Sequence, residues 1–243
     1  MSGHSKWANI KHKKEKTDAQ KSKVFTKIGK EMAVAVKAGG GDPNSNSKLR
    51  DLIQKAKANN VPNDNIERII KKAMGSTGED YEEITYEGYG PGGVAVIVET
   101  TTDNRNRTAG NVRSYFNKYH GNMGTSGCVS FLFEDKGVII VNNEDGDIDE
   151  DKLMETALES GAEDFAAGDG VFEIYTVVDD LYAVKEALEG AGYPILSAEK
   201  DKIPSTTVAL SDADDLKFMG LLIEMLEEDD DVMNVYHNWE NCD

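Results

Sequence analysis

Opposite charges divide this chain into two parts. Residues 1–75 contain 17 Lys+Arg and 7 Asp+Glu, a balance of +10, whereas residues 76–243 contain 10 and 38, a balance of −28. Because a charged surface attracts ligands of opposite sign and repels those of its own, the first part favours a polyanionic partner and the second disfavours one. The sequence therefore predicts a basic binding module joined to an acidic body. The alternative is that the charged residues serve only to keep the protein soluble.

Several classes of protein are excluded by what the sequence lacks. No apolar run is longer than the five residues of Val94–Val98, which is too short to span a bilayer, and no apolar stretch follows the charged N-terminus as it does in a secretory signal. Cys128 and Cys242 are too few for a disulfide framework or a paired-cysteine metal site. No Walker sequence, zinc-site spacing or pairing of a nucleophile with a base occurs. We expect a cytoplasmic, non-enzymatic protein with no cofactor, no metal, no membrane and no small-molecule substrate.

Three amphipathic helices are predicted in the basic module. The first runs from Thr17 toward Gly39, and lysines share one of its sides while Ile28, Met32 and other apolar residues share the opposite side. A second helix is predicted to have Pro43 in its first turn, and a third runs from about Asn63 to Gly75. Three such helices can bury one small core. The turn between the second and third contains Pro rather than the Gly common in helix-turn-helix units, which disfavours that motif.

The lysine side of the first helix and the arm before it are the candidate binding surface. Trp7 and Phe25 are the only Phe, Trp or Tyr residues among residues 1–75, and Phe25 is on the apolar side, so the sequence shows no base-stacking platform and the lysines suit contact with the sugar–phosphate backbone. The predicted nucleic-acid-binding residues are Lys6, Trp7, Lys11, His12, Lys13, Lys14, Lys16, Lys23, Lys27, Lys30, Arg105 and Arg107.

The acidic body alternates predicted strands and helices, so the fold class is α+β. Its middle stretch is complete as β-α-β-β-α-β, the ferredoxin-like arrangement, and the flanking β-α-β pieces complete the same topology a second time. The flanking pieces are a strand at Val94–Thr101, a helix at Asp103–Tyr119 and a strand at Cys128–Phe133, then a strand at Thr206–Leu210, a helix at Ala213–Glu228 and a strand at Val232–Trp239. We predict an N-terminal three-helix domain (1–76) and two ferredoxin-like domains, one (135–203) inserted in the other (77–134 and 204–243).

Four further motifs receive an interpretation from their context. The glycines of Gly88–Gly93 precede a strand instead of opening a helix, so they indicate a turn rather than a dinucleotide site. The carboxylates of Glu227–Asp231 indicate a solvated helix end. Arg105 and Arg107 stand at a strand-to-helix junction, where they either hold phosphate or balance neighbouring carboxylates. The segment Gly121–Gly127 indicates a flexible loop.

Several sequence blocks, taken in order, resemble the YebC family. The blocks lie at residues 1–14, Asp64–Arg68, Tyr86–Gly93, Thr102–Thr108 and Gly127–Phe131, and together they extend over essentially the whole chain. The resemblance implies a helical N-terminal domain with two α+β domains, and a non-enzymatic regulator of gene expression. Members are described as probable transcriptional regulators that bind DNA, mitochondrial relatives resemble translational activators, and bacterial members are linked to ribosomes slowed at proline-rich stretches.

Two partners therefore remain open. Lysines that contact the sugar–phosphate backbone, on a protein that is otherwise acidic, favour a large folded RNA as the ligand. Our first hypothesis is therefore a translation factor that binds rRNA on the ribosome, with ribosomal proteins as further partners. DNA-binding transcription regulation is the alternative, and a protein-interaction module acting through the acidic body is a third.

Overall fold

The computed structural model describes residues 18–75, 80–168 and 170–240, the first four by backbone alone. The described helices are α1 (Asp18–Gly39), α2 (Ser47–Ala58), α3 (Asn63–Met74), α4 (Arg105–Lys118), α5 (Glu150–Glu159), α6 (Leu181–Gly190) and α7 (Ala213–Glu228). The described strands are β1 (Glu82–Tyr89), β2 (Ala95–Thr102), β3 (Asn122–Met123), β4 (Phe133–Asn142), β5 (Asp164–Gly168), β6 (Val171–Thr176), β7 (Ile195–Pro204) and β8 (Val232–His237). In the part of the chain that the structure describes, no helix combines the length and the apolar character that a bilayer span requires.

The chain divides into two compact units. The inserted unit is Leu132–Ser205, close to the predicted insertion at 135–203, and the outer unit comprises the described residues of Lys16–Phe131 and Thr206–Cys242. The predicted division of the outer unit into a helical domain and an α+β domain stays a prediction, because the described residues of both belong to one compact unit.

Helices α1, α2 and α3 share one apolar core, as their sequence patterns predict. The buried side chains come from all three helices and from the turn between α2 and α3. They include Ile28, Met32, Ala35, Val36, Leu49, Leu52, Ala56, Val61, Ile66 and Ala73. Helix α2 begins at Ser47 rather than at Pro43. The reason is that the buried Asn46 is the N-cap, with a side chain that accepts a hydrogen bond from the Leu49 N–H.

The turn between α2 and α3 contains a residue in the left-handed region. Asn60 has φ of 59°, and Val61 beside it is buried in the shared core. Asn adopts this conformation more readily than other non-glycine residues. Asn60 therefore supplies the backbone geometry that glycine provides in many helix-turn-helix units, which removes the objection that the sequence raised against this motif.

The inserted unit has the predicted ferredoxin-like topology. Its elements follow the order β4-α5-β5-β6-α6-β7, and the antiparallel sheet has the strand order β5-β6-β4-β7. The apolar sides of α5 and α6 cover one face of this sheet, where Leu153 and Leu188 are fully buried with Ile139 and Ile174. The two outer strands enter through crossovers over the same face, as the split β-α-β arrangement requires.

The sheet of the outer unit reaches a similar arrangement with different strands. Its order is β3-β1-β2-β8, with all neighbours antiparallel, and α4 and α7 share one core with β2. Strand β1, which the sequence did not predict, lies between β2 and β3. Within Thr206–Leu210 only Val208 pairs, in a single parallel bridge to Trp239, so the prediction of a strand there is wrong.

A second predicted strand, Cys128–Phe133, is also wrong. The chain forms a turn and a short 3-10 helix at Ser130–Leu132, and β4 of the other sheet begins at Phe133. The backbone N–H groups of Val129 and Ser130 donate to the side chain of Glu87 and are unavailable for a strand ladder. Gly90, Gly92 and Gly93 do form a turn between β1 and β2, as predicted, with φ of 63° at Gly92, whereas Gly88 lies in β1. These corrections leave the predicted α+β class and its two ferredoxin-like parts confirmed.

Candidate nucleic-acid interface

The predicted binding residues of the N-terminal arm lie outside the described residues. Their contact with phosphate therefore stays a prediction. They are Lys6, Trp7, Lys11, His12, Lys13, Lys14 and Lys16.

The lysine side of α1 has partners inside the outer unit. Lys23, Lys27 and Lys30 occupy successive turns on one side of the helix, as the sequence predicts. Their ammonium groups donate to three backbone carbonyl oxygens at the end of α7. The Nζ–O distances are 3.3 Å from Lys23 to Glu228, 2.7 Å from Lys27 to Glu227 and 2.8 Å from Lys30 to Asp230. Phosphate contact through these ammonium groups stays a prediction, and it requires exchange of these carbonyl partners.

The end of α7 attracts cations for two physical reasons. The last carbonyls of a helix have no partner within the helix, and the aligned peptide dipoles place partial negative charge at this end. Helix α7 has no basic residue in its own last turn, and its terminal residues Glu227 and Glu228 are acidic. Lys23 and Lys27 therefore cap the last carbonyls of α7, and Lys30 contacts the carbonyl of Asp230 just beyond the helix.

Asp231, three residues beyond α7, is a buried carboxylate held between two cations. Its side chain is 6% exposed, and it accepts hydrogen bonds from Lys30 Nζ at 2.9 Å and from Arg107 Nη2 at 2.6 Å. Thr108 Oγ1 donates to the same carboxylate at 2.8 Å. Burial on its own raises the pKa of Asp231, but the hydrogen bonds from Arg107, Lys30 and Thr108 lower it to about 2. The sequence indicated a solvated helix end for Glu227–Asp231, and for the buried Asp231 this prediction is wrong.

Arg107 balances carboxylates in this structure. Its guanidinium lies 2.8 Å from Asp103 and 2.6 Å from Asp231, and these two hydrogen bonds raise its pKa above the ordinary value. Asn104 caps α4 by accepting the Arg107 N–H. Arg105, the neighbouring candidate, is exposed in the first turn of α4. The sequence left two roles open for these arginines, contact with phosphate and charge balance with carboxylates. Arg107 has the second role in this structure, and contact of either arginine with phosphate stays a prediction.

An open groove of about 510 Å³ runs beside these groups. Lys30 and Arg107 contribute positive charge to its wall, whereas Asp103 and the residues from Glu228 to Asp231 contribute negative charge. A wall of mixed sign with both cations already paired is a poor receptor for phosphate. While Lys30 and Arg107 keep these partners, we therefore place no nucleic-acid site in this groove.

The exposed cations of α2 and α3 were missed by the sequence analysis. Arg50, Lys57 and Lys71 are exposed, and none makes a side-chain hydrogen bond or ion pair with residues 22–75, 80–168 or 170–240. The helix repeat places Arg50 and Lys57, seven residues apart, on one side of α2, and this spacing was the available signal. By contrast, Lys48 pairs with Glu83 at 2.5 Å and Lys55 with Glu31 at 3.1 Å.

Glu87 fixes the segment that follows β3, which the sequence indicated as a flexible loop. Its carboxylate is buried and accepts the N–H groups of Gly127, Val129 and Ser130 at 2.7, 2.8 and 2.8 Å. Burial raises the pKa of Glu87, but these backbone hydrogen bonds outweigh burial, so the pKa lies below its ordinary value. One buried carboxylate thereby determines the course of the chain from Gly127 to Ser130.

Comparison with known proteins places these features in a family. Residues 5–76 match the model of the TACO1/YebC protein N-terminal domain, and residues 81–239 match that of the TACO1/YebC second and third domain. A protein of Acetivibrio thermocellus named "Probable transcriptional regulatory protein" is 60% identical over 240 residues, which cover 98% of this chain and 99% of that protein. A protein of the same name from Lachnoclostridium phytofermentans is 57% identical over 241 residues, covering 99% of this chain and 100% of that protein.

A solved structure shows the same fold. The crystal structure of a conserved hypothetical protein from Aquifex aeolicus superposes with a TM-score of 0.84 at 50% sequence identity, and the match covers 97% of this chain and 96% of that one. Both domain models and these relatives extend over nearly the whole sequence, in agreement with the resemblance seen in the sequence blocks. The chain belongs to the TACO1/YebC family.

Proposed function

We propose that this protein is a non-enzymatic regulator of gene expression whose N-terminal quarter binds the sugar–phosphate backbone of nucleic acid. The names of its relatives, probable transcriptional regulatory proteins, support a regulatory role. The observation that carries the binding part is that three exposed cations, Arg50, Lys57 and Lys71, make no side-chain hydrogen bond or ion pair with residues 22–75, 80–168 or 170–240. We take these three cations, and the lysines predicted to bind from the N-terminal arm, as the groups that contact an external polyanion.

Structured RNA on the ribosome is the target that we propose first. Lysine and arginine side chains without exposed aromatic partners recognise backbone and shape, which suits a large folded RNA better than a short operator. The acidic residues elsewhere in the chain disfavour binding along an extended, uniformly charged surface. In this role the protein assists translation slowed at proline-rich stretches, and ribosomal proteins are additional partners.

A DNA-binding transcriptional regulator is the second candidate, and one structural observation favours it. Helices α2 and α3 are joined by the four residues from Asn59 to Pro62, and Asn60 supplies the left-handed turn residue. This is the chain connection of a helix-turn-helix unit, whose second helix enters the major groove of DNA. Helix α3 would be that second helix, with Arg68 and Lys71 on its exposed side.

Cosedimentation separates the two candidates. Full-length protein is added to a lysate that is divided and treated with DNase or with RNase before ribosomal particles are pelleted. The ribosomal proposal predicts that the protein pellets with ribosomal particles after DNase treatment and is released after RNase treatment. Retention on chromosomal DNA, with release by DNase and protection of defined promoter sequences in a footprint, would instead support the transcriptional candidate.

A further inference from the structure

The lysine side of α1 and the end of α7 match each other in spacing. Lys23, Lys27 and Lys30 stand on successive helical turns, and each reaches a different carbonyl in the segment from Glu227 to Asp230. Lys30 reaches Asp231 as well. We call this set of contacts the α1–α7 contact. It joins a cationic helix face to a helix terminus whose dipole and side chains are both negative.

The contact occupies groups that would otherwise suit phosphate. An ammonium group that donates to a carbonyl or carboxylate uses the same N–H groups that it would direct at a phosphate oxygen. The side chain of Lys30 is 14% exposed, and two of its three N–H groups already donate to the Asp230 carbonyl and to Asp231. The end of α7 therefore occupies the place that a nucleic-acid backbone would take along α1.

We propose that the α1–α7 contact is an autoinhibitory latch, in which the end of α7 holds Lys23, Lys27 and Lys30 until a nucleic acid displaces it. This inference rests on the proposed function, because it takes a sugar–phosphate backbone as the competing ligand. The exposed cations of α2 and α3 make the first contact, and the latch opens when phosphates replace the three carbonyls and Asp231. Only the opened form then uses the whole basic face of α1.

Asp231 is the residue at which the latch can be weakened. Asp231→Asn preserves the shape of the side chain but removes the negative charge that faces Lys30 and Arg107. Asp135→Asn is the matched control, because it removes the same charge from an ion pair with Lys202 inside the inserted unit. Neither substitution removes a cation or alters α2 and α3.

Binding to a short RNA duplex and to a short DNA duplex is measured across a salt series with the full-length chain. We expect Asp231→Asn to bind both duplexes at least about fivefold more tightly than wild type does. A factor of about five is the lower end of the effect that one coupled site usually has on the affinity of another. We also expect the slope of log K against log salt for DNA to steepen by about 0.9 for each lysine that gains a phosphate. The control Asp135→Asn should match wild type in both quantities. Wild-type affinity and slope in the Asp231→Asn protein would overturn the latch.

Hydrogen exchange on the wild-type protein supplies a readout that needs no variant. On saturation with duplex, amides at the end of α7 and in the neighbouring turn at Asp229–Asp231 should lose protection, since the latch predicts that this end is displaced. Unchanged protection there with duplex bound would overturn the latch and leave the proposed function standing. Failure of the wild-type protein and of Asp231→Asn to bind either duplex would overturn the proposed function and the latch with it. If Asp231→Asn does not fold, the wild-type exchange experiment decides.

Discussion

Lys30 Nζ lies 2.9 Å from Asp231 Oδ1, although 201 positions separate the two residues in the sequence. Their contact joins the first described helix to the residues that follow the last one, and Arg107 completes a cation–carboxylate–cation arrangement. Each of the two cations would be left without a buried counter-charge if Asp231 were lost. The stability of the outer unit should therefore depend on the ionisation of this one carboxyl group.

The first prediction concerns the pH dependence of unfolding. Because the folded-state pKa of Asp231, about 2, is below its value of 3.8 in an unfolded chain, ionised Asp231 stabilises the fold above pH 4 and loses this effect as the pH falls toward 2. The ionised form contributes about 2 kcal/mol at neutral pH. Urea unfolding of wild type and Asp231→Asn should differ by at least about that amount near pH 7, and the difference should shrink by about 1 kcal/mol or more near pH 3. A difference that does not change with pH would contradict the assignment.

The second prediction concerns Glu87. Its carboxylate accepts three backbone N–H groups, whereas the amide of Glu87→Gln offers one acceptor oxygen and directs an NH₂ group at the remaining donors. We expect a loss of about 2–4 kcal/mol in the free energy of unfolding and faster proteolysis between Gly124 and Ser130. Glu82→Gln, at an exposed position at the start of the same strand, is the control and should change stability by less than about 0.5 kcal/mol. Equal effects of the two substitutions would rule out the role assigned to Glu87.

The third prediction tests the left-handed turn residue. Asn60 has φ of 59°, a conformation that costs a residue with an ordinary side chain about 1–2 kcal/mol and costs glycine nothing. Asn60→Ala should therefore lower the free energy of unfolding by about 1 kcal/mol, and Asn60→Gly should leave it within about 0.5 kcal/mol of wild type. The two variants are measured by thermal unfolding under one condition. If alanine is tolerated as well as glycine, the turn does not require this conformation.

Much of the fold follows from residue periodicity. The helical repeat of α1 separates lysines from apolar residues, and the apolar side is indeed buried around Met32 and Ile28. The inserted unit follows from the alternation of short apolar runs with helical patterns. Strand β1, from Glu82 to Tyr89, was missed although Ile84 and Tyr86 alternate with polar residues, because its three glutamates and Gly88 are residue types that are depleted in strands.

The candidate site was predicted less well than the fold, for a physical reason. The sequence places Lys23, Lys27 and Lys30 on one face, but their partners are backbone carbonyls, which every residue possesses and no side-chain pattern indicates. The same holds for Glu87, whose partners are three backbone N–H groups. Exposed cations on α2, by contrast, have a sequence signal in the seven-residue spacing of Arg50 and Lys57.

The fourth prediction tests the central claim, that the basic helices bind sugar–phosphate chains. The triple substitution Arg50→Gln, Lys57→Gln, Lys71→Gln removes three exposed cations that have no side-chain partner among residues 22–75, 80–168 and 170–240. The control carries Lys152→Gln, Lys185→Gln and Lys217→Gln, which remove the same charge from α5, α6 and α7. Both proteins should fold as wild type does by circular dichroism and thermal unfolding, because surface substitutions of this kind change stability little.

The most direct measurement is the salt dependence of duplex binding by these two proteins and wild type, between about 50 and 200 mM salt. The triple variant on α2 and α3 should bind DNA and RNA duplexes more weakly than wild type does. For DNA, its slope of log K against log salt should be shallower by about 2.7, or about 0.9 for each lost contact. The control variant should keep the wild-type slope. An unchanged slope in the triple variant, or an equal loss in both variants, would contradict the claim.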